Sequence, residues 1–193
     1  ASNLSRLTDD ILMFCKEHDV ALSTSLDGPA DLHDAQRPMR NSSSHERTIA
    51  GIHRARNVLG PDAVAALMTA TPASLRRMPD IIDEYVRQGF HTIFLRSISP
   101  YGFATRQSLN RRYSMQQWVT AYQQGLAHIL DINRRGYRLR EEYAAILLAK
   151  MLTPRGANYV DLQSPAGLAI GALVYNYDGA VYASDEGRML AEM

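Results

Sequence analysis

The stretch Ala21-Leu-Ser-Thr-Ser-Leu-Asp-Gly-Pro29 constrains this chain more than any other segment of it. An apolar run that stops on Ser25 and breaks at Asp27-Gly28-Pro29 spells a strand delivering polar side chains to a cleft, because Asp, Gly and Pro each favour a turn for a separate backbone reason. His33-Asp34 and Arg37-Pro38 follow on the loop beyond. Hydroxyls at the end of a strand can hydrogen-bond vicinal ribose hydroxyls, and an arginine can fork onto a carboxylate with two parallel N–H bonds. The segment fits one half of a nucleoside-and-carboxylate site, with Asp27 shaping the turn or adding a polar contact. It fits equally a strand and tight turn whose Asp and Ser satisfy their own backbone.

Around that segment helix and strand alternate, the pattern of βα units on a parallel sheet, so the expected fold class is α/β. Thr8-Asp9-Asp10 predicts a helix start, with the helix running to about residue 18, and 20–26 is the first strand. A polar loop over 41–45 precedes a helix over 46–59, and 64–71 reads as a second strand. Pro79 opens a third helix ending near Gly89, and 91–98 supply a third strand. Three strands cannot close a barrel. Met115, Trp118, Val119, Tyr122, Leu126, Ile129 and Leu130 recur every three or four residues in a long helix over 115–135, with Ser114 and Gln117 in capping-box positions. Such a stripe is core packing. A further helix spans about 139–152, and Pro154-Arg-Gly-Ala157 reads as a linker. Beyond it, Asp178-Gly179 between 172–177 and 180–183 predicts a hairpin closed by a type I′ turn.

Composition narrows the function classes. With 193 residues and 46% hydrophobic content the chain can bury a core as one domain plus an appendage. The formal charge of +1 gives no pull toward nucleic acid or membrane, and the apolar run over 168–174 is too short to span a bilayer. Cys15 is the only cysteine; beside Leu7, Ile11 and Phe14 it reads as a small core hydrophobe, and one thiol without a disulfide framework points to a reducing cytoplasm. Asp31, His33, Asp34 and His45 follow no ligand spacing, so no metal site is expected on this chain. The arginine pairs at 76–77, 111–112 and 134–135 read as solvated faces and helix ends. Tyr101-Gly-Phe-Ala104, after the third strand, is a candidate rim for a cofactor or substrate.

Two blocks in order carry a resemblance: Ser23-Thr-Ser-Leu-Asp-Gly-Pro29 with His33-Asp34 and Arg37-Pro38, then Tyr175-Asn-Tyr-Asp-Gly-Ala-Val-Tyr-Ala-Ser-Asp185. They resemble the radical S-adenosylmethionine (SAM) maturases of peptides and proteins, the anaerobic sulfatase-maturating group with its C-terminal SPASM extension, and in particular the maturase of the His-Xaa-Ser peptide system. The resemblance implies part of a TIM-like (β/α) radical SAM barrel over 1–152, then a linker and the beginning of a SPASM-like extension with its β-hairpin over 153–193. It implies an oxidoreductase in which a reduced [4Fe–4S] cluster, fed by an electron donor, cleaves SAM to a 5′-deoxyadenosyl radical that takes a hydrogen atom from a peptide or protein. Ser25 would then hold the SAM ribose and Arg37 its carboxylate, Asp27 would keep the turn, Phe94 and Leu95 would pack on the adenine, and Asp185 would take the substrate proton.

The departures from that family are as specific as the likeness. A cluster of this kind sits on closely spaced cysteine thiolates, and this sequence has one cysteine, so the cluster ligands are expected outside the chain. The chain alone is then expected to be an inactive piece of a longer enzyme, able to self-associate through its truncated barrel edge. Ser184 stands where the family's hairpin is followed by a cysteine, and Pro165-Ala-Gly167 where it shows a cysteine before its glycine, which argues against an auxiliary cluster in this part. Two other classes fit the same residues: a cofactor-independent β/α-barrel lyase or isomerase using Asp27, His33 and Arg37, and a non-catalytic scaffold that binds a partner chain.

Overall fold

A computed structural model describes residues 3–98, 113–154, 169 and 173–191. The chain divides into two compact units, Ala1–Ser97 with Arg112–Glu142, and Ile98–Arg111 with Tyr143–Met193. In chain order the first holds α1 (Asp9–Glu17), β1 (Leu22–Ser25), α2 (Ala30–Gln36), α3 (Ser44–Leu59), β2 (Val64–Leu67), α4 (Pro72–Leu75), α5 (Met78–Arg87), β3 (Thr92–Ile93), α6 (Met115–Arg134) and β4 (Arg140–Glu141). Then come α7 (Glu142–Leu152), β5 (Val174–Tyr175), β6 (Val181–Tyr182) and α8 (Asp185–Ala191).

Side-chain caps fix where the helices begin. Thr8 Oγ1 accepts the Ile11 N–H at 3.4 Å ahead of α1, and Ser43 Oγ accepts the Glu46 N–H at 3.1 Å ahead of α3. Ser114 and Gln117 close a reciprocal capping box on α6, as their spacing predicts. Each bond satisfies a donor that the first helical turn cannot use.

The strands of the first unit pair in parallel, which requires a crossover between them and explains the helices in between. β1 and β2 run in register from Leu22 on Val64 to Ser25 on Leu67, and the Leu26 N–H continues the ladder onto the Leu67 carbonyl at 3.0 Å. β3 and β4 pair Thr92 with Arg140 and Ile93 with Glu141. A bond from the Ala70 N–H to the Arg96 carbonyl, 3.0 Å, joins the C-terminal ends of β2 and β3. No closed barrel forms among the described residues.

The core of this unit lies between the strands and α3, α5 and α6. Met68, Met78, Ile81, Ile82 and Tyr85 are fully buried, and the Tyr85 hydroxyl donates to the Leu26 carbonyl at 2.9 Å, tying α5 to the end of β1. On α6 the buried face is Trp118, Ala121, Gly125, Ile129 and Ile132. The heptad-like stripe is therefore only partly the core: Met115, Val119 and Leu130 are exposed, and the small residues Ala121 and Gly125 take their place. A Cβ on Gly125 would lie 2.7 Å from Met78 Cγ, so Met78 at the start of α5 packs against α6 where α6 has no side chain. On α1 the buried positions are Leu12 and Cys15, while Ile11 and Phe14 are exposed, so Cys15 is a core thiol on a different face from the one its apolar neighbours suggest.

The second unit carries the expected hairpin, with a different turn. Asn176 N–H donates to the Ala180 carbonyl at 2.9 Å and Gly179 N–H to the Asn176 carbonyl at 3.1 Å. Gly179 has φ +86° and Asp178 is not among the residues with positive φ, so the loop is a turn over Tyr177-Asp178 closed by a left-handed glycine rather than type I′. The Asp178 carboxylate accepts the Ala180 N–H at 2.9 Å, which favours this form. The linker after Pro154, Tyr101–Ala104, Pro165–Gly167 and Arg111-Arg112 lie outside the described residues. Among the described residues, no helix is long and apolar enough to cross a membrane.

Candidate cofactor site

The turn after β1 sets the geometry. Gly28 has φ +126°, and a Cβ there would lie 2.9 Å from Ile81 Cγ1, so glycine alone lets the turn rest against α5. α2 follows at once, where the sequence suggests only loop, and it brings His33 back to the turn: the Asp27 N–H donates to His33 Nδ1 at 3.1 Å. The Asp27 carboxylate, 1% exposed, accepts from Arg37 Nε at 2.5 Å, from Arg37 Nη2 at 3.5 Å and from the Thr69 N–H at 3.0 Å. Asp27 thereby joins the end of β1 to the segment after β2.

The first turn of α3 is tied to α2 in the same way. Asp34 Oδ1 accepts from Ser44 Oγ and from the His45 N–H, each at 2.8 Å. Burial raises the Asp34 carboxyl, but the hydrogen bonds of His45, Ser43 and Ser44 outweigh it and hold the group below its ordinary value. His45 Nε2 lies 3.0 Å from Oε1 of Glu84 on α5, and that buried carboxylate also accepts from Gln88 Nε2 at 2.8 Å and from Arg87. The His33 and His45 rings meet edge to face, 5.7 Å between centroids.

These anchors surround a cleft of about 190 Å³, lined by Ser25, His33, Arg37, Ser44, Arg47 and Thr48, with Asn3 and Ser5 of the N-terminal segment closing one side. No described carboxylate lines it. A wall of hydroxyls, an imidazole and two guanidinium groups is built to take an oxygen-rich anion. A larger hollow of about 460 Å³ sits at the other end of the strands, between Lys16–Ala21 and Leu59–Ala63. It is flanked by loops entering β1 and β2 and shares no residue with the cleft.

Ser25, Asp27 and Arg37 are brought together here, with Arg37 engaged on Asp27 while 41% of its side chain stays exposed. Phe94 and Leu95 follow β3 in the same unit. Leu95 is 1% exposed and a Cβ on Gly125 would lie 3.2 Å from its Cδ1, so its side chain belongs to the core, while Phe94 is half-buried. The Leu95 N–H is held by buried Glu141 Oε1 at 3.1 Å, and the Tyr122 hydroxyl donates to Oε2 at 2.6 Å. Asp185 lies in the second unit, exposed at the start of α8, 3.4 Å from Arg188 Nε.

One cationic residue of the site, Arg47, went unrecognised in the sequence. Arg47 carries a charge near the N-terminus of α3, where the helix dipole disfavours a cation unless an anion binds there, and that misfit was the available signal. His33 stood in the resembling block and in the lyase alternative, but its burial and its bond to the Asp27 N–H depend on the α2 turn. The Asp31, His33, Asp34 and His45 group has other commitments: Asp31 pairs with Arg77, which lowers its carboxyl, and Asp34 and both histidines are bonded as above. Among the described residues no set of three metal-ligating side chains converges.

No protein-family model and no curated protein sequence matches the chain. Solved structures do. The chain aligns with native anSMEcpe bearing bound AdoMet (SAM) at TM-score 0.72 and 15% identity, covering 95% of this chain and 49% of that one. A second structure of that enzyme, with AdoMet and the Cp18Cys peptide, gives TM-score 0.71 and 16% identity over 95% and 50%. The fold is similar to that of an anaerobic sulfatase-maturating enzyme. The chain spans about half the length of these enzymes, and at such identity the likeness is one of fold.

Proposed function

We propose that this chain is the SAM-binding part of a radical SAM enzyme that modifies a peptide or protein, with a partial β/α barrel as its frame and a SPASM-like hairpin beyond it. One observation carries the reading: a donor-lined cleft with two arginines at the C-terminal end of β1, on a fold shared with enzymes crystallised with AdoMet. The donor set fits SAM, whose ribose and α-carboxylate both offer oxygen acceptors. When bound, SAM supplies the 5′-deoxyadenosyl group. The iron–sulfur cluster does not fit this chain, which has a single, buried cysteine, and no step is derived through it.

In this reading Ser25 bonds the ribose, and the methionyl carboxylate falls to Arg47 at the head of α3, assisted by the outer edge of Arg37. Arg37 Nε and Nη2 already serve Asp27, so its main role is to hold the β1 turn, whereas Arg47 lines the cleft as an exposed residue of the first turn of α3. Phe94, half-buried just after β3, is the side chain assigned to the adenine, with the Leu95 backbone beside it. Asp185 is the exposed carboxylate assigned to accept the substrate proton, and a peptide is the assigned substrate because the second solved enzyme holds one. The lyase reading is weaker, because the Asp27 carboxylate is buried and already accepts three hydrogen bonds.

The test is ligand stabilisation, since a ligand bound only by the folded chain raises its melting temperature in proportion to ln(1 + [L]/Kd). SAM is expected to raise the melting temperature of the wild-type chain by a few degrees and to fail to do so for Ser25→Ala and Arg47→Ala. A rise that survives both substitutions would place SAM elsewhere and end this assignment.

A further inference from the structure

We infer that the Nε2–H of His33 is a specificity-determining donor of the cleft, held for an acceptor oxygen of the bound ligand; the inference rests on the SAM reading of that site. Nδ1 accepts the Asp27 N–H at 3.1 Å, so the neutral ring carries its proton on Nε2. His33 is 1% exposed, it lines the cleft, and its Nε2 has no hydrogen-bond partner among the described residues. Buried donors without a partner are rare, and one kept on the wall of a polar cleft has a function to explain it.

The ring cannot turn away from that duty. One nitrogen is fixed by the Asp27 backbone, and its neighbour His45, ring centroid 5.7 Å away, is itself held by Glu84 at 3.0 Å. His45 and Glu84 are thus positioning residues that act through His33. Ser25, Thr48, Arg37 and Arg47 of the wall can donate as well, while the Ser44 hydroxyl is spent on Asp34 and the Ser5 hydroxyl on Asn3 Oδ1, so the imidazole N–H adds to a mainly donor set that favours acceptors. SAM offers two kinds of acceptor oxygen, those of its ribose and those of its carboxylate.

Two substitutions separate the donor from the turn. Asn at position 33 can still accept the Asp27 N–H through Oδ1 but has no group where Nε2–H stands; Gln presents an amide N–H near the Nε2 position but gives up the turn acceptor. In the full 193-residue chain, labelled with ¹⁵N-histidine, SAM, methylthioadenosine, methionine and inorganic sulfate are titrated. SAM is expected to move the His33 Nε2–H resonance. His33→Asn should keep the melting temperature yet bind SAM roughly tenfold more weakly, and His33→Gln should bind it more tightly than His33→Ala. A loss shared with methylthioadenosine puts the acceptor on the ribose, and one shared with methionine puts it on the carboxylate.

If the wild-type chain binds none of the three organic probes, the SAM reading fails and the donor stands on sulfate alone, which must then move the Nε2–H resonance and bind His33→Asn less well. A His33→Asn chain that binds its probe as tightly as wild type overturns the inference. So does a resonance that no probe moves, since the N–H would then be spent on the His45 ring.

Discussion

Asp27 holds more of the site than any other residue. Its buried carboxylate accepts from Arg37 and from the Thr69 N–H, while its own N–H goes to His33. In Asp27→Asn the new amide would face at least one donor, leaving a buried clash, so the chain is expected to lose about 2 to 3 kcal/mol of stability in urea unfolding. A loss below about 0.5 kcal/mol would mean that the Arg37 and Thr69 contacts contribute little. His33 gives a second test. Burial, the largest effect, lowers its pKa; the Asp27 carboxylate opposes it, Arg37 and then His45 lower it further, and Asp34 pulls it up least. The unfolded chain therefore takes up a proton before the folded one does. The stability this contributes is whole above the ordinary histidine value of about 6.5 and drains away as pH falls from there toward the depressed folded value. Asp31 and Asp34, both lowered, lose their contribution only as pH drops below about 4. Urea midpoints for wild type should fall from pH 7 to pH 5 more steeply than those for His33→Asn; equal slopes would remove His33 from the account. Ser25 and the Asp27-Gly28-Pro29 turn were legible as residues because local backbone preferences dictate them. The engagement of Arg37 on Asp27 and the place of Arg47 were not, since both depend on how α2 and α3 fold over the turn.

At the scale of elements, glycines mark where helices touch. A Cβ on Gly51 of α3 would lie 2.6 Å from Leu4 Cβ and 3.0 Å from the Leu4 carbonyl oxygen, and Leu4 sits with φ +57° between the cleft residues Asn3 and Ser5. Gly51→Ala gains up to about 1 kcal/mol of helix propensity but must push this backbone away, so a net loss of about 1 to 2 kcal/mol is expected. Faster tryptic cleavage after Arg6 should accompany it, because the displaced segment loses its cover. Unchanged cleavage with unchanged stability would show that the segment yields freely. Gly125→Ala meets Met78, Leu95 and Ile82 at 2.7 to 3.3 Å and should cost about 1 to 3 kcal/mol by calorimetry. Helix starts at Thr8 and Ser114 could be read ahead because caps are local, whereas α3 begins at Ser44 under a Ser43 cap, two residues before the expected start at 46. α2 and β4 could not be read ahead: α2 is a short helix after Pro29 whose only cues are shared with loops, and β4 is two residues paired by tertiary contact just before an apolar helix. The same dependence on partners hid the true face of α6, where Ala121 and Gly125 face the core because α5 comes close.

In the first unit, Ser25 and the Asp27 turn stand at the C-terminal end of the parallel pair β1–β2, and the Phe94 segment follows β3 of the pair β3–β4, with the Ala70 N–H to Arg96 carbonyl bond linking the segments after β2 and β3. Open parallel sheets and barrels alike place their ligands there, outside the carboxyl ends of the strands. The alternation of helix and strand made that class readable, and the order of the Ser-Leu-Asp-Gly-Pro and Tyr-Asp-Gly blocks pointed to the fold that anSMEcpe shares. The central claim is that this end binds SAM through Ser25 and Arg47. Equilibrium dialysis of isotope-labelled SAM against the wild-type, Ser25→Ala and Arg47→Ala chains measures that directly. One saturable site per chain, weakened roughly tenfold or more by each substitution, is the result the account predicts. Absence of saturable binding, or binding that both substitutions leave intact, would contradict it.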